Sequence, residues 1–177
     1  MKKTLALSAL LALTTSSMAM DVEYFIGAGA ERGKLDTTVS GGNLSIGNKY
    51  NDTAFKLKAG AIIDKKHRVS LSRVGYSEKG GDFDLTNLNY DYIIPLKNDF
   101  SLLAGVHAGV AEYDEPGYNI DGFDYGLQAG VLYDITSNVQ LETNLAYTKF
   151  NVEETFSGVK AEFNDGISFY LGFNYKF

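Results

Sequence analysis

Gly166-Ile167-Ser168-Phe169-Tyr170-Leu171-Gly172-Phe173-Asn174-Tyr175-Lys176-Phe177 is the stretch whose reading decides the fold. Taken with a period of two, Ile167, Phe169, Leu171, Phe173, Tyr175 and Phe177 share one face. Gly166, Ser168, Tyr170, Gly172, Asn174 and Lys176 share the other. Successive side chains of a strand point to opposite faces, so this is a strand with one aromatic-rich apolar side. The run covers about the 9–11 residues that a tilted strand needs to cross a bilayer. Such a strand, last in the chain, fits a membrane barrel whose last strand closes on its first and leaves no edge.

The same alternation recurs upstream. Glu23 to Arg32 sets Tyr24, Ile26, Ala28 and Ala30 against Phe25, Gly27, Gly29 and Glu31. Asp52 to Ile63 sets Thr53, Phe55, Leu57, Ala59, Ala61 and Ile63 against Lys56, Lys58 and Gly60. Phe83 to Leu96 sets Leu88, Tyr90, Tyr92 and Ile94 against Asn87, Asn89, Asp91 and Ile93, with Pro95 at the strand end where a missing donor is tolerated. Phe100 to Ala111, Phe123 to Ile135 and Val139 to Phe150 follow the same rule. The third strand, Arg68 to Ser77, breaks it: Val69 and Leu71 are in one phase, Val74 and Tyr76 in the other. A bulge near Ser72-Arg73 is expected to absorb the shift.

The segments between strands come in two kinds. Asp64-Lys65-Lys66-His67, Lys97-Asn98-Asp99 and Thr136-Ser137-Asn138 are tight polar turns. Leu35 to Tyr50, Glu112 to Gly122 and Glu153 to Glu162 read as longer loops rich in Gly, Asn, Ser, Thr and acids, and Glu78 to Asp82 as a short loop at the same end. The expected fold is therefore all-β: an eight-stranded antiparallel up-and-down transmembrane barrel with short periplasmic turns and longer extracellular loops. Eight strands enclose an interior that side chains fill. The Tyr, Phe and Leu faces carry too much bulk for that interior, whereas the opposite faces carry glycines and isolated charges. The bulky face therefore points outward, to lipid.

Composition agrees. The chain of 177 residues suggests one domain and has 19 Gly, 12 Tyr and 11 Phe but 2 Pro and no Cys. No thiolate site or disulfide can be built. Lys2 and Lys3, the apolar Leu5 to Leu13 and the small residues ending at Ala19 read as a signal peptide over 1–19, with Met20 the alternative cleavage site and 20–177 the barrel domain. Without Lys2 and Lys3 there are 14 basic and 22 acidic residues, a formal charge of −8. That balance argues against a nucleic-acid partner. A mean hydropathy of −0.12 is compatible with strands that are apolar on one face only.

Tyr170-x-Gly172-x-x-Tyr175-x-Phe177 looks like the C-terminal assembly signal of the small bacterial outer-membrane β-barrel proteins, the group of OmpA-type barrels, OmpX and opacity-type proteins. The whole mature chain resembles that group in strand pattern. The family pattern prefers a polar residue where Tyr170 stands. The resemblance implies an outer-membrane location, transient contact with the assembly machinery, and outer-membrane lipid and lipopolysaccharide as surroundings. The implied role is structural or interactive, through extracellular loops available to a partner. A small porin-like channel is the alternative, and a lipid-modifying enzyme the third reading.

Candidate sites follow from the phase. Glu31, Lys56, Lys58, Asp91, His107, Asp134 and Glu142 are expected to form a polar network in the lumen, because buried charges must be paired or solvated. Tyr24, Tyr90, Tyr92, Tyr125, Tyr133 and Tyr147 are expected in interfacial aromatic girdles. His107 has no local motif linking it to Ser101 or Ser168, so no catalytic residue is assigned. Two histidines far apart and no cysteine assign no metal site, and no cofactor is implied. The acids of 112–122 offer oxygen ligands without an EF-hand pattern, and solvated surface acidity is the expectation.

Overall fold

The computed structural model describes residues 21–41, 44–78, 81–115, 118–156 and 159–177. The expected signal peptide, residues 1–19, lies outside the described residues. Eight strands are present: β1 Val22–Gly41, β2 Leu44–Ile63, β3 His67–Glu78, β4 Gly81–Pro95, β5 Phe100–Glu115, β6 Tyr118–Asp134, β7 Val139–Phe156 and β8 Val159–Lys176. Each pairs antiparallel with its neighbour, and β8 pairs with β1 to close the barrel. At the seam Ile26 faces Tyr175 and Ala30 faces Leu171. The Phe177 N–H donates to the Tyr24 carbonyl at 2.9 Å, so the final residue is tied into the closing ladder. Among the described residues the ladder is continuous around the barrel at the level of Phe55–Ile63 of β2, which is the condition for a sheet to sit in hydrocarbon.

Two of the tight turns carry consecutive left-handed residues, Asp64 and Lys65, then Asn98 and Asp99. That backbone matches the right-handed twist of a hairpin. At the opposite end the strands run further than the sequence suggests. The expected loops 35–50, 112–122 and 153–162 are largely ladder, with β1 reaching Gly41 and β5 reaching Glu115. Residues 116 and 117 of the expected acidic loop lie outside the described residues. The physical reason is that ladder hydrogen bonds are made by the backbone and continue where the sequence carries no period-two signal to read.

The bulge expected in the third strand is absent. β3 keeps one continuous register against both β2 and β4. Val74 and Tyr76 point inward and are buried, whereas Arg73 is exposed and donates to Asp84 at 2.7 Å. The apolar side chains change face because the outer surface leaves the lipid there, while the lumen ends in an apolar layer. Register shifts occur instead where β8 meets its neighbours, with the extra residue on β8 opposite Asp36/Thr37 of β1 and on β7 between Lys149 and Val152.

The outer surface carries the bulk, as the volume argument requires. Leu57, Leu88, Leu127, Leu145, Ile167 and Phe173 are each more than half exposed. In water such a belt would be strongly unfavourable; in lipid it costs nothing. The lumen differs from the uniformly polar interior that the sequence suggests, because it is layered. Near the short turns Phe25, Ile62, Ile93, Leu103 and Leu132 form an apolar floor. Toward the long hairpins Ala54, Val74, Tyr76, Phe83, Leu85, Ala111 and Phe150 form an apolar roof. The charged layer lies between them.

Candidate functional site

Glu142 on β7 is the centre of that charged layer. Its side chain is 0% exposed. It accepts from Arg68 Nη1 at 2.9 Å and Nη2 at 3.1 Å, from Lys58 Nζ at 2.6 Å, and from Asn174 Nδ2 at 2.9 Å. Arg68 on β3 is the bridge. Its Nε donates to Asp91 Oδ2 at 2.9 Å, so one planar guanidinium spans two carboxylates. Gln128 donates to the other Asp91 oxygen. Lys58 Nζ also lies 4.0 Å from the centroid of the Tyr170 ring, and Arg68 lies over Phe25 in the floor. Strands β2, β3, β4, β6, β7 and β8 are thus tied together through the barrel axis.

Toward the roof, Lys56 Nζ donates to Glu31 at 2.6 Å and the Tyr76 hydroxyl donates to the same carboxylate at 2.8 Å. His107 Nε2 is 3.0 Å from the Thr148 hydroxyl. At the short-turn rim Asp134 accepts from Gln140 at 2.9 Å and from Lys176 at 3.0 Å. Inward glycines make room for these groups. At Gly105 a Cβ would collide with the Asp91 carboxylate and the Tyr90 carbonyl, and at Gly126 with the Tyr147 carbonyl and the His107 ring. Between charged layer and roof remains a cavity of about 30 Å³ lined by Glu31, Lys56, Asn87, His107, Gln128 and Thr148, among others.

The expected lumen residues Glu31, Lys58, Asp91, His107 and Glu142 are buried inside the barrel, Lys56 is nearly so, and Asp134 sits at the rim. Arg68, Asn174, Gln128 and Tyr76 belong to the same networks and escaped the sequence reading. The expected inward set holds four acids against two lysines, and that imbalance was the available signal for a missing cation. Arg68 was hidden by the doubtful phase of its strand. Tyr170 and Gly172 point inward, while Tyr175 and Phe177 are exposed and meet edge to face at 5.2 Å. Tyr24, Tyr90, Tyr92, Tyr125, Tyr133 and Tyr147 are all exposed on the outer face. His67, expected in a turn, opens β3 and packs between Tyr90 and Tyr92, with Nδ1 2.8 Å from the Tyr90 hydroxyl.

A closed, lipid-belted barrel with a filled polar lumen defines a class: the eight-stranded membrane barrels. Comparison with known proteins agrees at the level of fold. No protein-family model matches the chain. An uncharacterized protein of Haemophilus influenzae is 26% identical over 184 residues, covering 91% of this chain and 97% of that one. The crystal structure of Neisserial surface protein A is similar with a TM-score of 0.64 at 18% identity, covering 87% of this chain and 97% of that one. The Ail attachment invasion locus protein of Yersinia pestis, crystallised with the heparin analogue sucrose octasulfate, is similar with a TM-score of 0.51 at 18% identity, over 89% and 99% of the two chains. The fold is that of the small outer-membrane β-barrels.

Proposed function

We propose that the chain is an integral protein of a bacterial outer membrane whose barrel is a closed structural element presenting its long hairpins to the exterior. Its role is membrane integrity, adhesion or recognition through those hairpins. The observation that carries this reading is the filled lumen. An apolar roof, a charge-paired layer and an apolar floor lie one behind another across the axis. The cavity of about 30 Å³ has room for a water or two. A porin-like channel needs a continuous wet path, and each of the three layers stands across it. An enzyme needs a nucleophile, a base and an orienting group in reach of substrate. His107 pairs with Thr148 beneath the roof, and among the described residues no carboxylate hydrogen-bonds it.

In this reading the short turns face the periplasm and the lipid belt meets phospholipid and lipopolysaccharide. The exposed tyrosines anchor it at the two interfaces. Tyr170, Gly172, Tyr175 and Phe177 carry the signal read transiently by the assembly machinery. The outward pair Tyr175 and Phe177 is available to a partner before the seam closes, whereas Tyr170 and Gly172 end inside. Because the chain has no cysteine, single cysteines report topology cleanly. In intact cells Glu112→Cys, near the hairpin end, is expected to react with a membrane-impermeant maleimide, and Asn138→Cys, in a short turn, is not. The reverse pattern overturns the orientation, and labelling of both overturns the membrane location.

A further inference from the structure

Between floor and roof the buried charges pair: Lys56 with Glu31, and Lys58 and Arg68 with Asp91 and Glu142. Asp124 on β6 stands outside this balance. It is 0% exposed, and among the described residues neither carboxylate oxygen meets a donor at full hydrogen-bond geometry and no cation is paired with it. A buried carboxylate has to be paired, bind a cation or give up its charge. Across the sheet, Asn87 of β4 and Asp124 flank one residue, Gly109 of β5, in adjoining ladders. The Asn87 Oδ1 overlies Gly109 so closely that a Cβ there would collide with it. That oxygen also lacks a partner. The Asn87 amide nitrogen is the donor within reach of the Asp124 carboxylate, but a neutral amide supplies no charge, so the buried negative charge remains without a counter-ion.

We infer that this part of the lumen binds a hard monovalent cation of the sodium type, held by the Asp124 carboxylate and the Asn87 Oδ1, with water filling the rest of its shell. Hard cations take oxygen ligands. One positive charge brings the buried layer to neutrality; a divalent ion would replace one excess by another. Asn87, His107 and Thr148 line a cavity of about 30 Å³; Asp124 does not border it, so the room for water lies on the Asn87 side of the ion. Lys56 lines the same cavity, but its ammonium is already matched by Glu31 at 2.6 Å. A bridging water alone would satisfy the acceptors and leave the charge. The ion would join β4 to β6 across β5, just beneath the roof.

The test is thermal unfolding of the folded barrel in detergent at fixed pH and ionic strength, with sodium chloride exchanged for choline chloride and separately for calcium chloride. In sodium the midpoint is expected to exceed that in choline by roughly 3–5 °C once sodium is tenfold above its dissociation constant. Asp124→Asn is expected to show no such difference. Equal midpoints for the unaltered protein in sodium and choline overturn the site, as does an undiminished sodium gain in Asp124→Asn. A gain that calcium gives and sodium does not overturns the monovalent assignment. A midpoint that rises on acidification without any sodium response means a protonated carboxyl instead. If Asp124→Asn does not fold, Asn87→Ala decides: a reduced sodium gain supports the site, and a full one overturns it.

Discussion

Replacing Glu142 by alanine is the sharpest perturbation the lumen allows. The carboxylate is fully buried and accepts four hydrogen bonds, two from Arg68 and one each from Lys58 and Asn174. Its removal leaves Lys58 and Arg68 opposed only by Asp91, so one positive charge is uncompensated between two apolar layers. Breaking a buried pair by deleting one partner costs about 3–5 kcal/mol. At about 2–4 °C per kcal/mol for a chain of this size, the unfolding midpoint falls by roughly 6–20 °C. The assay is urea and thermal unfolding in detergent, followed by gel mobility and circular dichroism. Replacing Lys58, Arg68, Asp91 and Glu142 together by methionine removes the charges with their partners. That variant is expected to recover much of the loss, since apolar substitutes for a whole buried network are often neutral or better. A loss below about 1 kcal/mol for Glu142→Ala is what a solvated surface pair gives. It would mean that the lumen is wet and the layered-plug account wrong.

Three further outcomes are expected. Leu127→Arg, on the outer face of β6, costs about 2–4 kcal/mol in phospholipid vesicles; a negligible cost would show that this face does not meet lipid. Gly126→Val meets the Tyr147 carbonyl as well as the His107 ring and costs about 1–3 kcal/mol by overpacking. Adding His107→Ala relieves only the ring contact, so recovery is partial at most, and full recovery in the double variant contradicts the backbone clash. Deleting Phe177 impairs assembly in cells more than Phe169→Ala does, measured as the yield of heat-modifiable folded protein. Equal defects reduce Phe177 to an interfacial anchor.

The lipid belt was legible residue by residue because lipid on one side and a narrow lumen on the other impose a strict period of two. Strand number, the three tight turns and the closing strand all follow from it. The upper strands were not legible. Their sequence carries no alternation, and the Gly, Asn and Ser of 35–50 look like a loop although most of that stretch is ladder, because the backbone alone makes those hydrogen bonds. The third strand misled for a related reason. Val74 and Tyr76 turn inward to the roof just where Arg73 turns outward to water. A single alternation rule cannot anticipate an interior that changes from polar to apolar along the axis. Arg68 illustrates the remaining gap: sequence distance gives no hint that residues 68, 91 and 142 meet, because their meeting depends on the barrel closing.

The most direct measurement of the central claim is conductance of the purified, refolded barrel in a planar lipid bilayer. A lumen closed by floor, charged layer and roof predicts no steady open level for the unaltered protein. A stable, large unit conductance would contradict it.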